Sequence, residues 1–282
     1  MKNSEFKYID LRIDWSFKYV YGTRGNEDLL LNLLDAIMPE KHICHVELRE
    51  QEQMPDNKDE RKAVFDVNCT AENGDSFVIE MQNAEQDDFA HRLVYYSGFP
   101  IRQQVRSGEK IYRFAPVYVI GIMNFLMPEA PVNDNVINTY SIRNDNNPGN
   151  VMLRDLQFIT VELPKIGSDP SKLSAREKQL YLIRNAAKMS RRPEEFQSEE
   201  FDKLFNVINF ASMSPENQEI YESELRAILN HNSEIATALR KGEAKGARDK
   251  AIETARNMKA AGIPAEIISQ CTGLTLEQVA EL

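Results

Sequence analysis

The chain has 282 residues, 42% hydrophobic and 28% charged, and 34 Lys and Arg against 44 Asp and Glu give a formal charge of -10. That composition belongs to an ordinary globular protein, long enough for one substantial core plus an appended unit. The acidic balance argues against indiscriminate nucleic-acid binding, yet leaves room for a local basic face offset by bound cations. No apolar run approaches the length of a membrane span, and residues 1–7 lack the apolar centre of a secretion signal. Three scattered cysteines, Cys44, Cys69 and Cys271, make no disulfide framework, so the expected compartment is a reducing cytoplasm, with no membrane partner.

Residues 26–38 read as a helix with Asn26 as N-cap and Pro39 just beyond its end. Residues 43–49 read as a strand, followed by an acidic loop over 50–61. His42 and His45 flank Cys44, but neighbours in a strand face opposite ways and no second pair follows at zinc spacing. Next come two β-rich runs, 64–71 and 76–82, joined at Asn73-Gly74, which predict a hairpin. Asp66 lies inside the first run, and Glu80-Met81-Gln82 ends the second. Acidic side chains inside strands are unusual, because an unpaired buried carboxylate costs several kcal/mol or neutralises itself. Two carboxylates on adjacent strands form a site that wants a divalent cation.

Register decides whether they meet. A two-residue loop at Asn73-Gly74 pairs Asp66 with Met81 and sends Asp66 and Glu80 to opposite faces. A three-residue loop, Asn73-Gly74-Asp75, pairs Asp66 with Gln82 and puts Asp66, Glu80 and Gln82 on one face, with Glu80 diagonal to Asp66. The odd-length loop, or an equivalent bulge, is the expected arrangement. A solvent-facing polar stripe on an ordinary hairpin accounts for the same spacing.

Residues 85–107 predict a long amphipathic helix ended by Gly108 and kinked or divided at Pro100, with Phe89, Leu93, Tyr96 and Ile101 among its apolar positions. Arg92, Arg102, Arg106, Lys110 and Arg113 concentrate positive charge along this stretch, and Tyr95 and Tyr96 sit among them. Phosphate contact and a solvated helix face both fit these cations. Residues 116–123 form a nearly unbroken apolar run, as in a strand buried on both faces. Residues 134–150 are rich in Asn and turn formers, and 151–163 are β-like. Helical segments follow near 171–189, 193–211 and 215–229, with a shift to Lys-, Ala- and Glu-rich sequence from Ser233. Gly262, Pro264 and Gly273 punctuate short helices at the end, and Thr275 with Gln278 makes a capping-box pattern. These last helices fit a helix-turn-helix or, with few basic residues, a packing or oligomerisation element. There is no Walker loop, dinucleotide fingerprint or nucleophile elbow.

The helix, three strands, helix, strand order together with Asp66…Glu80-x-Gln82 resembles the PD-(D/E)XK nuclease superfamily. It resembles most closely the branch of recombination-promoting nucleases and transposases. Asp14-Trp15-Ser16-Phe17-Lys18, the Arg92, Tyr95 and Tyr96 group, Gly108 to Tyr112, Glu162-Leu163-Pro164-Lys165 and Thr272 to Thr275 are similar too. The resemblance implies an α/β, restriction-endonuclease-like core with a mixed sheet over residues 1–165, a helical extension over 166–232 and a C-terminal helical module over 233–282. It implies a metal-dependent DNA endonuclease linked to recombination or mobile elements. The alternatives are a nucleic-acid-binding or assembly protein on the same fold, and a homo-oligomer formed through the C-terminal helices.

Carried over by position, Asp66 and Glu80 are expected ligands of Mg2+, or of another divalent cation such as Mn2+, with the Met81 carbonyl as a third. Glu27, at the start of an early helix, is the candidate for a further acidic ligand, although acid there also suits the helix dipole. Asp14 is either a helix cap or part of the site, and Lys18 a group able to approach a phosphate. Gln82 stands where the superfamily usually has Lys; a neutral amide orients water but supplies no charge. Phe65 stands in place of the motif's Pro. Arg92, Tyr95, Arg102, Arg106 and Lys110 are the expected DNA contacts.

Overall fold

The apolar run recognised at 116–123 becomes the strand around which the sheet is built. In the computed structural model, which describes residues 7–53, 63–105, 111–128 and 133–282, every residue of strand Val117–Met123 is buried. Numbered in chain order, the strands are β1 (Val46–Leu48), β2 (Glu52–Gln53), β3 (Ala63–Val64), β4 (Val67–Ala71), β5 (Ser76–Gln82), β6 (Val117–Met123), β7 (Ile137–Asn144) and β8 (Asn147–Glu162). Six of them make a mixed sheet in the order β1-β4-β5-β6-β8-β7. β6 runs parallel to β5 and to β8, which explains its two-sided burial: parallel pairs need crossover connections whose helices cover the faces.

The crossover from β5 to β6 is α3 (Phe89–Gln104). It lays Phe89, Leu93 and Phe99 on the face that carries Val78, Val117, Val119 and Met123. In-register pairing puts Glu80, Gly121 and Thr160 side by side on that face. The opposite face, with Phe77, Ile79, Tyr118 and Ile120, is buried as well. Helices α1 (Asp14–Tyr21) and α2 (Glu27–Ile37) precede the sheet, and Lys41, just past α2, donates to the Tyr118 hydroxyl.

Several expectations shift. Asn26 does not cap α2 with its side chain, whose amide donates instead to Tyr19 O at 3.4 Å. Pro100 lies within α3 without dividing it. The Asn-rich stretch is strand: β7 and the start of β8 form a bulged antiparallel hairpin turning at Asp145-Asn146. Its exposure explains the polar composition that reads as loop. The segment near 193–211 breaks into tight turns around α5 (Asp202–Ile208), whereas α4 (Ala175–Asn185) opens with a full Ser174–Glu177 capping box.

The chain divides into two compact units, Met1–Tyr221 and Glu222–Leu282. Helix α6 (Pro215–Ala260) runs unbroken through the composition change at Ser233 and through Gly242 and Gly246. At its end Ala255 packs with Ile268 of α7 (Ala265–Thr272), Leu274 and Val279 of α8 (Leu276–Ala280). Gly273 ends α7 in the left-handed conformation, and Thr275 and Gln278 form the expected capping box. Among the described residues no helix is long and apolar enough to cross a membrane.

Candidate active site: a buried carboxylate pair with a lysine

The hairpin register differs from the expected one by two residues. Thr70 pairs with Ser76 and Val67 with Ile79, and Ala71 N–H donates to Asp75 O at 2.8 Å. The three-residue turn is therefore Glu72-Asn73-Gly74, with Gly74 at φ +90° supplying the left-handed step that glycine tolerates. A shift of two preserves the face, so Asp66 still shares a side with Glu80. It stands opposite Glu80 rather than diagonal to it.

The first arm does not extend back to Val64 as one strand. Phe65 N–H donates to Gln51 O at 2.9 Å, and β3 pairs with β2 in a separate two-stranded sheet. The chain thus parts from β5 just where Asp66 sits. The donors left by that parting are met by side chains. Met81 N–H donates to Asp66 Oδ2 at 2.6 Å, and Asp66 N–H donates to Glu80 Oε1 at 3.3 Å. Backbone N–H and C=O of one strand residue point to the same edge, so the Met81 carbonyl faces this gap too.

Both carboxylates are nearly inaccessible, Asp66 at 3% and Glu80 at 5% exposure. Burial, then the charge of Glu80, then Asp14 raise the Asp66 carboxyl well above its ordinary value; the Met81 hydrogen bond only partly opposes them. Burial pushes Glu80 up to about 7, against the opposing pull of Arg92, the Asp66 N–H and Lys18. Two like charges removed from water resist simultaneous ionisation. A nearby cation reverses that preference.

Helix α1 brings the third and fourth groups. Lys18 Nζ lies 2.9 Å from Asp14 Oδ2, one turn back, and 3.3 Å from Asp66 Oδ1. Burial works to raise Asp14, but hydrogen bonds with Asp66 and Lys18 outweigh it and leave its carboxyl below the usual value. Burial likewise works to lower Lys18, and its contacts with Asp14 and Asp66 prevail, so its ammonium is held above the usual range. Gly22 permits the approach: a Cβ there would lie 2.9 Å from Lys18 O and 3.2 Å from Asp66 O.

Gln82 is engaged at both ends. Its Oε1 accepts from Arg92, whose second nitrogen reaches Gln86 Oε1 at 3.0 Å, and its Nε2 donates to Ala84 O at 2.9 Å. The amide expected to hold water here holds Arg92, whose charge acts on Glu80. Beside Arg92 opens a cavity of about 580 Å³, lined among others by Val64, His91, Tyr95 and Tyr96. Tyr95 is 44% exposed and meets Phe99 edge to face at 5.3 Å, while Tyr96 packs on Phe65.

Glu27 is not brought to the pair. Its carboxylate accepts from Gly25 N–H at 2.8 Å and so stabilises the turn before α2. Arg102 stacks over Phe99, 4.9 Å from the ring centroid. Arg106 and Lys110 lie outside the described residues. The Asp14–Lys18 pair looks like an ordinary i, i+4 helix pair in sequence; its convergence on Asp66 has no local signature. Nor does the Arg92–Gln82 bond, across ten positions and two elements.

The donors suit a hard divalent cation: buried carboxylate oxygens that share negative charge, with a backbone carbonyl facing the same gap. Among the described residues no three His, Cys, Asp or Glu side chains form a ready cage. Mg2+ is ordinarily held by one or two carboxylates, with water and substrate phosphate completing its shell. The residues therefore fit such an ion with Asp66 and Glu80 as its protein ligands.

No curated protein and no solved structure matches the chain. A family model described as PD-(D/E)XK nuclease family transposase matches residues 11–238, a span that takes in α1, the split hairpin, α3 and the whole mixed sheet. By that match, over most of its length, the chain belongs to the PD-(D/E)XK nuclease family transposases.

Proposed function

We propose that the protein is a divalent-cation-dependent endonuclease that hydrolyses DNA phosphodiester bonds, acting in recombination or on mobile elements. One observation carries this reading: Asp66 and Glu80, 14 residues apart and both buried, converge where two strands part. A merely structural site gains nothing from two mutually repelling carboxylates placed out of water. When bound there, Mg2+ or Mn2+ supplies Lewis acidity, making water a stronger acid and offsetting charge on the phosphoryl oxygens.

The chain's own residues do the rest. Asp66 and Glu80 hold the ion, and the Met81 amide fixes the orientation of Asp66. Arg92, anchored by Gln82, keeps a cation beside Glu80. Tyr95 offers an exposed ring on which a base can stack next to the reacting phosphate. Cations on α3 contact phosphates and confer little sequence preference.

Plasmid nicking by the purified protein, with and without Mg2+ or Mn2+, tests the reading alongside Asp66→Ala and Glu80→Ala. Nicking that needs the cation and is lost in both variants is the expected result. Nicking unchanged in both would trace the activity to another protein.

We also propose self-association through α6. Leu229, Ile235 and Leu239 are 57%, 52% and 62% exposed on it, large apolar side chains on a helix that is solvent-facing from 231 to 250. Sedimentation velocity should show an oligomer that Ile235→Glu with Leu239→Glu dissolves; a monomeric wild type would end the idea.

A further inference from the structure

A phosphodiester site built on carboxylates needs a positive group of its own, because negative ligands alone repel the substrate. Position 82, where a lysine is usual in the superfamily, holds a neutral amide whose two ends are both occupied by Arg92 and Ala84. Its own cation is therefore absent from that strand. Lys18 reaches Asp66 from another element. Its ammonium touches Asp66 Oδ1 at 3.3 Å and Asp14 Oδ2 at 2.9 Å, and its side chain is only 23% exposed. A lysine has three N–H donors. One is donated to Asp14 and the ammonium pairs with Asp66 at 3.3 Å, which leaves donor capacity for a ligand.

The charges also match. Asp14, Asp66 and Glu80 contribute three negative groups, and Lys18 and Arg92 two positive ones. One divalent cation brings the cluster to a single positive charge, the complement of one phosphodiester. Without Lys18 the loaded site would be neutral and would lose the positive charge that meets the negative charge building on the phosphate during cleavage.

We propose that Lys18, on the first helix, is the catalytic cation of this site, donating a hydrogen bond to a non-bridging oxygen of the scissile phosphate as negative charge builds there. It transfers no proton; it stabilises charge. Gly22 is what lets α1 come near enough for this, since its missing side chain leaves room for Asp66 O and Lys18 O. The proposal rests on the endonuclease reading given above and adds to it the group that stabilises charge developing on the scissile phosphate.

The test uses the full chain with Lys18→Met and with Lys18→Gln, which keeps a donor for Asp66 but no charge, each verified by thermal melting. Three quantities are measured: kcat and KM for plasmid nicking, and Mn2+ binding to the DNA-free protein by calorimetry. Removing one preorganised donor of this kind is expected to lower kcat by about 100-fold, with KM and the Mn2+ dissociation constant within roughly threefold of wild type. Lys18→Arg, which keeps the charge, should retain at least about a tenth of the rate. Wild-type kcat in Lys18→Gln overturns the proposal. So does loss of Mn2+ binding in parallel with rate, which would make Lys18 a support for Asp66. A wild-type protein that never nicks DNA overturns both readings; one that nicks, with uncharged variants that nick equally, overturns this one alone.

Discussion

Asp66 closes the β4–β5 ladder with its carboxylate: Oδ2 takes the Met81 N–H at 2.6 Å, where the parted backbone offers no carbonyl. One side chain thus serves folding and the proposed chemistry together, and substitutions can separate the two. Asp66→Asn keeps an acceptor for Met81 and removes a charge that burial and Glu80 disfavour. It should abolish cation-dependent nicking and melt at or above the wild-type temperature. Asp66→Ala also abolishes nicking but strands the buried N–H, at a cost of about 1–3 kcal/mol relative to Asn. Denaturant melts of the pair measure the difference; equal stability would mean the hydrogen bond contributes nothing.

Glu80 makes stability depend on pH in cation-free buffer. Its carboxyl titrates near 7 when folded, against the ordinary value of 4.5 in the unfolded chain. Below the unfolded value both states are protonated and the full stability is present. Between the two values the unfolded chain loses its proton first, so stability falls as pH rises, and it levels off above the folded value. The Glu80 contribution to the melting temperature should therefore decline from about pH 4.5 to about pH 7, and the raised Asp66 carboxyl adds a decline of the same sign. Glu80→Gln should flatten that decline, and added Mn2+ should raise the melting temperature of wild type but not of the variant. A pH-independent melt would contradict the raised value.

Gly22→Ala should uncouple α1 from the site. The new Cβ would lie 2.5 Å from Gln51 Nε2, 2.9 Å from Lys18 O and 3.2 Å from Asp66 O. The glutamine end can swing away, but the two carbonyls cannot without moving the helix end or the strand. Nicking should drop about tenfold or more, because a small misplacement of a charged group weakens charge stabilisation steeply. Wild-type kinetics in this variant would show the contact to be slack.

Glu162 provides a stability counterpart without a proposed catalytic role. Buried at the end of β8, it accepts from Met127 N–H at 3.3 Å, Asn138 Nδ2 at 3.1 Å and Lys165 Nζ at 3.0 Å. Glu162→Ala leaves the half-enclosed Lys165 ammonium without its carboxylate and should cost about 3 kcal/mol or more by urea unfolding. Glu162→Gln, which retains an acceptor, should cost less. Similar losses in the two variants would remove the charge from the explanation.

Several elements are legible in the sequence, because each has a local cause. The apolar run of β6, the turn at Gly74, the capping box at Thr275 and the left-handed stop at Gly273 depend on neighbours within a few residues. The common face of Asp66 and Glu80 was also accessible, since it needs only the parity of the turn, and a register error of two leaves parity intact. Sequence patterning failed at β7 and the start of β8, where exposed polar strand residues carry no alternation to distinguish them from loop.

Only the tertiary structure decided which other groups join the pair. Glu27 and Asp14 both begin helices and are alike in composition terms, yet one binds its own turn at Gly25 and the other meets Asp66. Lys18 reaches that carboxylate across 48 positions, and Arg92 claims the amide of Gln82 from a crossover helix. Local preference sets helices, turns and faces; long-range packing, which no neighbouring residue specifies, sets the charges that surround a buried carboxylate.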